Sequence, residues 1–468
     1  MKNLLSVSAA NLISQLLVFL MGAYYARVLG KDAFGNISVV QAILMYFSII
    51  TLFGLHTFGT REISKNEEKS ETIVNNIVSL RLVISIICYI IIILISTFIN
   101  KGAEFNHILL LYGLSIFPLV FTLDWYFSGI QEMQYNAVYN IVKNFIPFVL
   151  IFMFLHKSKD AVLIPIFVTI GVLCAAIYHL FIYHKRSKKS IKFNINKNSL
   201  LCYAGYSFPF FISQVLSMIN NYADRLVIYF TRTSSETGVY SSSYYIIFFL
   251  MNIIAMFFTP IFPLFISYYH NKENDKMDKL NNNVAKYVIL IVFPIVLGGV
   301  ILAKQIIVLL FKDSYIDAYI PFRILLFYIL LLFIREIFGY QLNAWHKEKQ
   351  YLKIVGISAL INLTLNLLIT PKYGMIAAAC ITLFSEIFNL ILMRREASKL
   401  YKVHCLKYIV KSVPLVVIMC IVIIILQHFN VSVIINIVFA ILVYFLAAFA
   451  FKVITMYDIK MLFTKKEV

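Results

Sequence analysis

The sequence predicts an all-α integral membrane protein of about 14 transmembrane helices, two six-helix bundles plus two C-terminal helices. Three observations lead there. Apolar runs long enough to cross a bilayer, about 20 residues each, recur along the 468-residue chain from Leu4 onward. The composition is 61% hydrophobic and only 13% charged, with a mean hydropathy of +0.85, whereas a soluble domain carries about 25% charged residues. Polar sequence is confined to short connections, which excludes a sizeable soluble domain.

The first run, 4–26, follows Lys2. It is a full span, longer than the apolar core of about 7–15 residues in a cleaved signal peptide, and so reads as the first helix. The next runs are 36–58, 77–99, 108–129, 137–155 and 162–183. A second set follows at 200–229, 238–267, 284–302, 319–343, 352–369 and 374–393, and the last two are 408–427 and 431–451. In alternate connections, 24 lysines and arginines fall on the side holding both termini and nine on the other. Positive loops stay cytoplasmic, so both termini are expected inside. The formal charge of +19 is therefore an orientation signal spread over loops, not a basic surface for nucleic acid. Six cysteines, Cys88, Cys174, Cys202, Cys380, Cys405 and Cys420, lie singly in or beside apolar runs, without metal-ligand spacing.

The chain repeats itself. Leu12-Ile13-Ser14-Gln15-Leu16-Leu17 in the first run returns as Phe211-Ile212-Ser213-Gln214-Val215-Leu216 in the seventh. Gly35 and Ser38 correspond to Gly238 and Ser241, and Glu132-Met133-Gln134-Tyr135 to Glu348-Lys349-Gln350-Tyr351. Matched runs differ in rank by six each time. A duplicated six-helix unit in parallel orientation follows, an arrangement by which transporters enclose a path. The domains are then an N-terminal bundle 1–183, a basic cytoplasmic linker 184–199, a C-terminal bundle 200–394, and 395–468 with two extra helices and a basic tail.

Several short motifs stand in order: Arg27-Val28-Leu29-Gly30 with Phe34-Gly35, Phe53-Gly54 before Arg61, Asp124-Trp125-Tyr126-Phe127-Ser128-Gly129 before Glu132, Asp224-Arg225, and Gly238-Val239-Tyr240-Ser241. On these, over essentially its whole length, the sequence resembles the multidrug/oligosaccharidyl-lipid/polysaccharide exporter superfamily, and within it the polysaccharide (O-antigen type) flippases. The resemblance implies two six-helix bundles around a V-shaped cavity that opens alternately to each side. It also implies a cargo, an isoprenoid-pyrophosphate-linked oligosaccharide moved to the outer leaflet of a bacterial cytoplasmic membrane, and polysaccharide polymerase or ligase proteins as partners.

A charge inside a span costs about 2.5–3.5 kcal/mol on insertion scales and normally faces protein or water. In the seventh run, Ser207, Gln214, Asn221 and Arg225 lie within about 20° of one line on an ideal helix, a polar stripe ending in a guanidinium. Such a group offers phosphate oxygens a donor fork at any cellular pH. Arg225 either meets an anionic headgroup in the cavity, or reaches the outer interface or pairs with Asp224. Arg27, Lys143 and Arg323 extend the basic set, and each also reads as an interfacial anchor. Gln15 shares a face with Arg27 only if the first helix bends, because the two are about 120° apart. Arg61 and Arg81, flanking the first inner loop, are headgroup anchors or gates, and Asp124 and Asp224 are further gating or coupling candidates. Glu336 shares a face with Tyr340 and Asn343, and Glu386 with Thr382. Each acid is either a proton or cation site or the neutralising partner of Arg335, and the structural pair is preferred.

No Walker loop, nucleotide domain or His/Cys/Asp metal cluster appears. The expectation is a transporter and not an enzyme, without cofactor, with a proton or sodium gradient as candidate drive. A membrane glycosyltransferase or polymerase would need a polar loop bearing catalytic acids, and the longest loops, near 60–76, 184–199 and 268–283, are too short. A drug exporter of the same superfamily is the alternative, disfavoured by arginines that suit an anionic cargo.

Overall fold

The computed structural model describes residues 2–453 apart from Asn100, Ile195, Lys402 and His404, with side chains from Ala10 onward except that of Ala255. The basic tail expected at 454–468 lies outside the described residues. Among them the secondary structure is helical throughout, without strands, and twelve helical stretches are long and apolar enough to cross a membrane. Two of the twelve, 10–65 and 348–397, each hold two of the expected runs. Each is interrupted by a glycine outside helical geometry, Gly30 (φ 75°) and Gly374 (φ 67°), next to the expected connections.

The chain forms two compact units, Met1–Ser241 and Ser242–Val468. The first contains α1 (Lys2–Leu52), α2 (Leu55–Lys65), α3 (Ser70–Phe98), α4 (Ala103–Gly113), α5 (Ile116–Val120), α6 (Asp124–Gly129), α7 (Gln134–Phe154), α8 (Leu163–Ser187) and α9 (Lys197–Thr231), and the start of α10 (Ser234–Phe258). α9 belongs here because it packs against α1, α2 and α3. The six-helix bundles expected from the internal repeat are defined by sequence and not by packing.

Two spans expected as single helices are broken. The second breaks at Phe53 and Gly54, both with positive φ (47° and 67°). Glycine is required at the latter for two reasons: left-handed backbone disfavours a Cβ, and a Cβ there would come within 2.6 Å of the Ser207 carbonyl oxygen and the Phe211 nitrogen. The fourth run divides into α4, α5 and α6. Pro118 withholds a backbone donor, and the hydroxyls of Ser115 and Thr122 bond back to the carbonyls of Tyr112 and Leu119 (2.7 and 2.8 Å), capping short turns instead of extending one helix.

Near Gly30 the second half of α1 meets the first turn of α10. A Cβ on Gly35 would fall 2.0 Å from the Ser234 carbonyl oxygen, and one on Gly238 the same distance from that of Lys31. The two glycines matched by the internal repeat thus touch each other through backbone alone. Tyr229 Oη donates to Asn36 Oδ1 (2.8 Å) beside them.

The second unit continues α10 and holds α11 (Phe262–His270), α12 (Asn274–Phe311), α13 (Tyr319–Ala344), α14 (Glu348–Ala397), α15 (Cys405–His428) and α16 (Val433–Ala450). α13 packs on α12 and α14. The last two helices attach through α12: Leu290 and Leu302 share a core with Leu415, Met419 and Ile423 of α15 and with Ala440 and Ala448 of α16, and Tyr444 Oη donates to the Leu290 carbonyl (2.8 Å). Their outer faces stay apolar and exposed, as at Leu406, Ile434 and Leu446, which suits contact with acyl chains.

Candidate functional site

The two helix breaks of the first unit meet. His56, two residues past Gly54, places Nε2 3.2 Å from Oδ2 of Asp124, the first residue of α6, and the two side chains remain 41% and 35% exposed. A broken helix frees backbone groups that lipid cannot satisfy, and neighbouring side chains take them up. Arg81 of α3, fully buried, donates from Nη1 to the Thr122 carbonyl (3.0 Å). The Leu123 N–H donates to Nδ1 of His179 on α8 (3.1 Å). Asn136 of α7 donates to the Asp124 carbonyl (2.8 Å). The Arg81 guanidinium lies 5.8 Å from the Trp125 ring centroid, and the His179 ring stacks on Tyr139 at 4.3 Å. Lys143, half-buried one turn further along α7, sits 6.0 Å from the Tyr139 ring.

The same pocket of polarity extends to α1. Ser14 Oγ donates to the Asn140 carbonyl (3.0 Å), Asn144 donates to Ser14 Oγ, and Asn140 donates to Asn11 (3.1 Å). Gln15 beside them is half-buried. Arg27 is exposed near the end of the first half of α1. Arg61, also exposed, bonds Glu62 (3.2 Å) and lies over the rings of Phe58 and Phe210.

The stripe on α9 divides between two environments. Ser207 is fully buried against Gly54, its hydroxyl bonded back to the Tyr203 carbonyl (2.9 Å). Gln214 and Asn221 are half-buried, with Asn221 bonded to the Ser217 carbonyl (2.9 Å). Arg225 is only 3% exposed, its guanidinium 4.9 Å from the Tyr222 ring. Asp224 next to it accepts from the Arg225 N–H (2.8 Å) and from the Tyr240 hydroxyl. A contact between Arg225 and a cargo therefore requires this packing to open.

In the second unit Arg335 bridges both acids of the sequence analysis. Its Nε donates to Glu386 (2.8 Å) and its Nη1 to Glu336 (3.0 Å), with side chains 10%, 5% and 18% exposed. Asn362 donates to Ser385 Oγ (3.1 Å), and Thr370 and Asn366 continue that chain of bonds (2.8 Å). Arg323 donates to the Val300 carbonyl (2.9 Å) and lies 5.1 Å from the Tyr319 ring. Among the described residues no three His, Cys, Asp or Glu side chains converge on a metal-sized site.

His56 and His179 were not singled out by sequence reasoning. The available signal was a glycine near the end of the second run, Gly54, and Thr122 in the fourth, which interrupt otherwise apolar stretches.

The sequence model of the polysaccharide biosynthesis protein family matches residues 1–269. A putative O-antigen transporter of Shigella dysenteriae is 21% identical over 49% of this chain, and the match spans 58% of that relative's length. A probable low-salt glycan biosynthesis flippase of Haloferax volcanii is 23% identical over 82% of this chain and 80% of its own. In three dimensions the chain superimposes on a lipid II flippase, MurJ, in an inward closed conformation with a TM-score of 0.78 at 18% identity, covering 95% of this chain and 98% of that one. An inward-facing multidrug resistance MATE transporter matches with a TM-score of 0.67 at 12% identity, over 82% and 95%. The fold is that of the MurJ and MATE transporters, and the chain belongs to the polysaccharide biosynthesis protein family.

Proposed function

We propose that this protein flips an isoprenoid-pyrophosphate-linked oligosaccharide from the inner to the outer leaflet of a bacterial cytoplasmic membrane by alternating access. Family membership over residues 1–269 carries the proposal, and relatives named as an O-antigen transporter and a glycan flippase support the cargo class. Fourteen passes with both termini inside fit the 24 against nine basic residues and the glycine interruptions at Gly30 and Gly374. The two parallel repeats, 1–183 and 200–394, supply the inner symmetry that alternation uses. Chemistry ends at translocation: the protein breaks no bond in its cargo, and a polymerase or ligase on the outer side uses the product. The test is reconstitution of the purified chain into vesicles carrying a fluorescent isoprenoid-pyrophosphate disaccharide. Protein-dependent loss of the probe from the outer or inner leaflet, measured with a membrane-impermeant quencher, is expected. Export of a cationic dye with no movement of the disaccharide would favour the drug-exporter alternative that the MATE likeness allows.

A further inference from the structure

We propose that the linker 184–199 and the adjoining end of α8 form a binding site for an anionic glycerophospholipid, with the phosphate beside Lys189 and Tyr183 and the start of an acyl chain on Phe121, Leu180 and Phe193. The site stands apart from the flippase reading; only its assignment to the inner leaflet rests on the orientation given by the basic loops. A cavity of about 310 Å³ lies between α5, the last turns of α8 and the linker, lined by these residues and by Ile191. Its linker wall is held by specific bonds. Lys188, at the end of α8, takes positive φ (54°) and turns the chain, and the Lys189 N–H donates to Ser187 Oγ (3.1 Å). The following segment is fastened to α3: the Lys192 N–H donates to Asn75 Oδ1 (2.8 Å), the Asn194 N–H to Ser79 Oγ (2.8 Å) and Asn194 Nδ2 to Asn76 Oδ1 (2.9 Å). The Phe193 ring then stands edge-on to Phe121, with centroids 6.5 Å apart.

An apolar floor under a cationic rim suits an amphiphile with an anionic head. The linker holds Lys185, Arg186, Lys188, Lys189, Lys192 and Lys197 and no acid. Acids of the neighbouring elements meet only two of these: Arg186 pairs with Glu67 (3.4 Å) and Glu132 (3.2 Å), and Lys189 with Glu71 (3.3 Å). Among the described residues the other four lysines make no ion pair, which leaves their charge for an anion at the membrane surface; a cluster of four to eight Lys or Arg beside a span is what holds anionic headgroups. Lys189 itself has three donors, of which Glu71 takes one. Tyr183 supplies the buried group in want of a ligand. It is 1% exposed on the cavity wall, and its Oη has no hydrogen-bond partner among the described residues, a cost that a phosphate or ester oxygen accepting from it would remove. Size then decides between lipids. About 310 Å³ is at the small end for ligand sites, enough for a phosphate ester and the first part of one chain, and too little for a carrier bearing an oligosaccharide.

Phe193 is 53% exposed, so Phe193→Trp places a fluorophore at the mouth of the cavity without filling it. The full-length Phe193→Trp protein in detergent is titrated with phosphatidylglycerol or phosphatidylcholine carrying brominated acyl chains, and quenching is read against the parent with its two native tryptophans. Saturable quenching is expected, with half-saturation at a lower concentration of phosphatidylglycerol than of phosphatidylcholine. Adding Lys188→Gln and Lys189→Gln should raise the phosphatidylglycerol half-saturation by about 25-fold, roughly 5-fold per lysine, and leave that for phosphatidylcholine unmoved. Tyr183→Phe keeps the ring and should raise it less. Equal quenching by the two lipids, or a phosphatidylglycerol curve that ignores the lysine substitutions, overturns the site. If Lys189→Gln does not fold for want of the Glu71 pair, Lys188→Gln with Lys192→Gln leaves that pair intact and should give a shift of the same size; an unmoved curve overturns the proposal. Unbrominated phosphatidylglycerol should reverse the quenching. Reversal by inorganic phosphate at equal concentration overturns the lipid as occupant, and reversal by an isoprenoid pyrophosphate at lower concentration than phosphatidylglycerol assigns the cavity to the carrier instead. Lipid-selective quenching in a protein that moves no disaccharide lipid in vesicles overturns the flippase reading and leaves this site supported.

Discussion

Arg335→Met should destabilise the second unit far more than Glu386→Gln. Arg335 lies 2.8 Å from Glu386 and 3.0 Å from Glu336, and its own side chain is 10% exposed. Removing the cation leaves two carboxylates facing each other in a low-dielectric interior, and deleting one partner of a buried ion pair costs about 3–5 kcal/mol. Glu386→Gln is milder. Arg335 keeps Glu336, and the amide oxygen still accepts from Nε, so the loss is the difference between a charge-assisted and a neutral bond, about 1 kcal/mol. Arg335→Met/Glu386→Met should regain part of the loss of Arg335→Met, since one uncompensated charge has gone with the cation. The assay is thermal unfolding of the full chain in detergent, followed by the surviving monodisperse peak. A parent-like melt for Arg335→Met would refute the structural role. A parent-like melt for Glu386→Gln combined with lost gradient dependence of transport would return that carboxylate to the coupling role.

Gly54→Ala should lower the melting midpoint, because it adds a Cβ at positive φ and 2.6 Å from two backbone atoms; Gly205→Ala, two turns inside α9 with nothing within 4 Å, should raise stability by about 0.5–1 kcal/mol. Gly35→Ala and Gly238→Ala should each weaken the first unit, and the double variant should cost less than the sum, since both side chains enlarge one contact. Ser190→Cys and Lys157→Cys, both exposed, in a cysteine-free background should react with an impermeant thiol reagent from opposite sides of the membrane; equal labelling in intact cells would refute the orientation.

Apolar runs were legible because hydrocarbon thickness sets a minimum length, and composition alone reports it. Breaks within runs were not, because Phe53-Gly54 and Thr122-Leu123 carry too little polarity to lower a 20-residue average. That is why α5 and α6 read as one helix with α4, and why His56 escaped notice. The α9 stripe shows the converse limit. Helical angle sets Ser207 and Arg225 on one line, but that line does not say what covers each end, and Gly54 and Tyr222 cover them. The Arg335 triad was more readable, since charges that would be costly alone demand partners nearby.

The broken fourth span also constrains biosynthesis. When Thr122 leaves the ribosome, Arg81 has already been made and its carbonyl has a donor waiting. The Leu123 N–H has none until His179, 56 residues later, which at about 5–20 residues per second is a delay of roughly 3–11 s. During that interval the segment cannot enter lipid without an unsatisfied donor, worth several kcal/mol. Entry of span four ahead of span six carries that cost, which favours insertion of the first unit as a group of helices over insertion one by one.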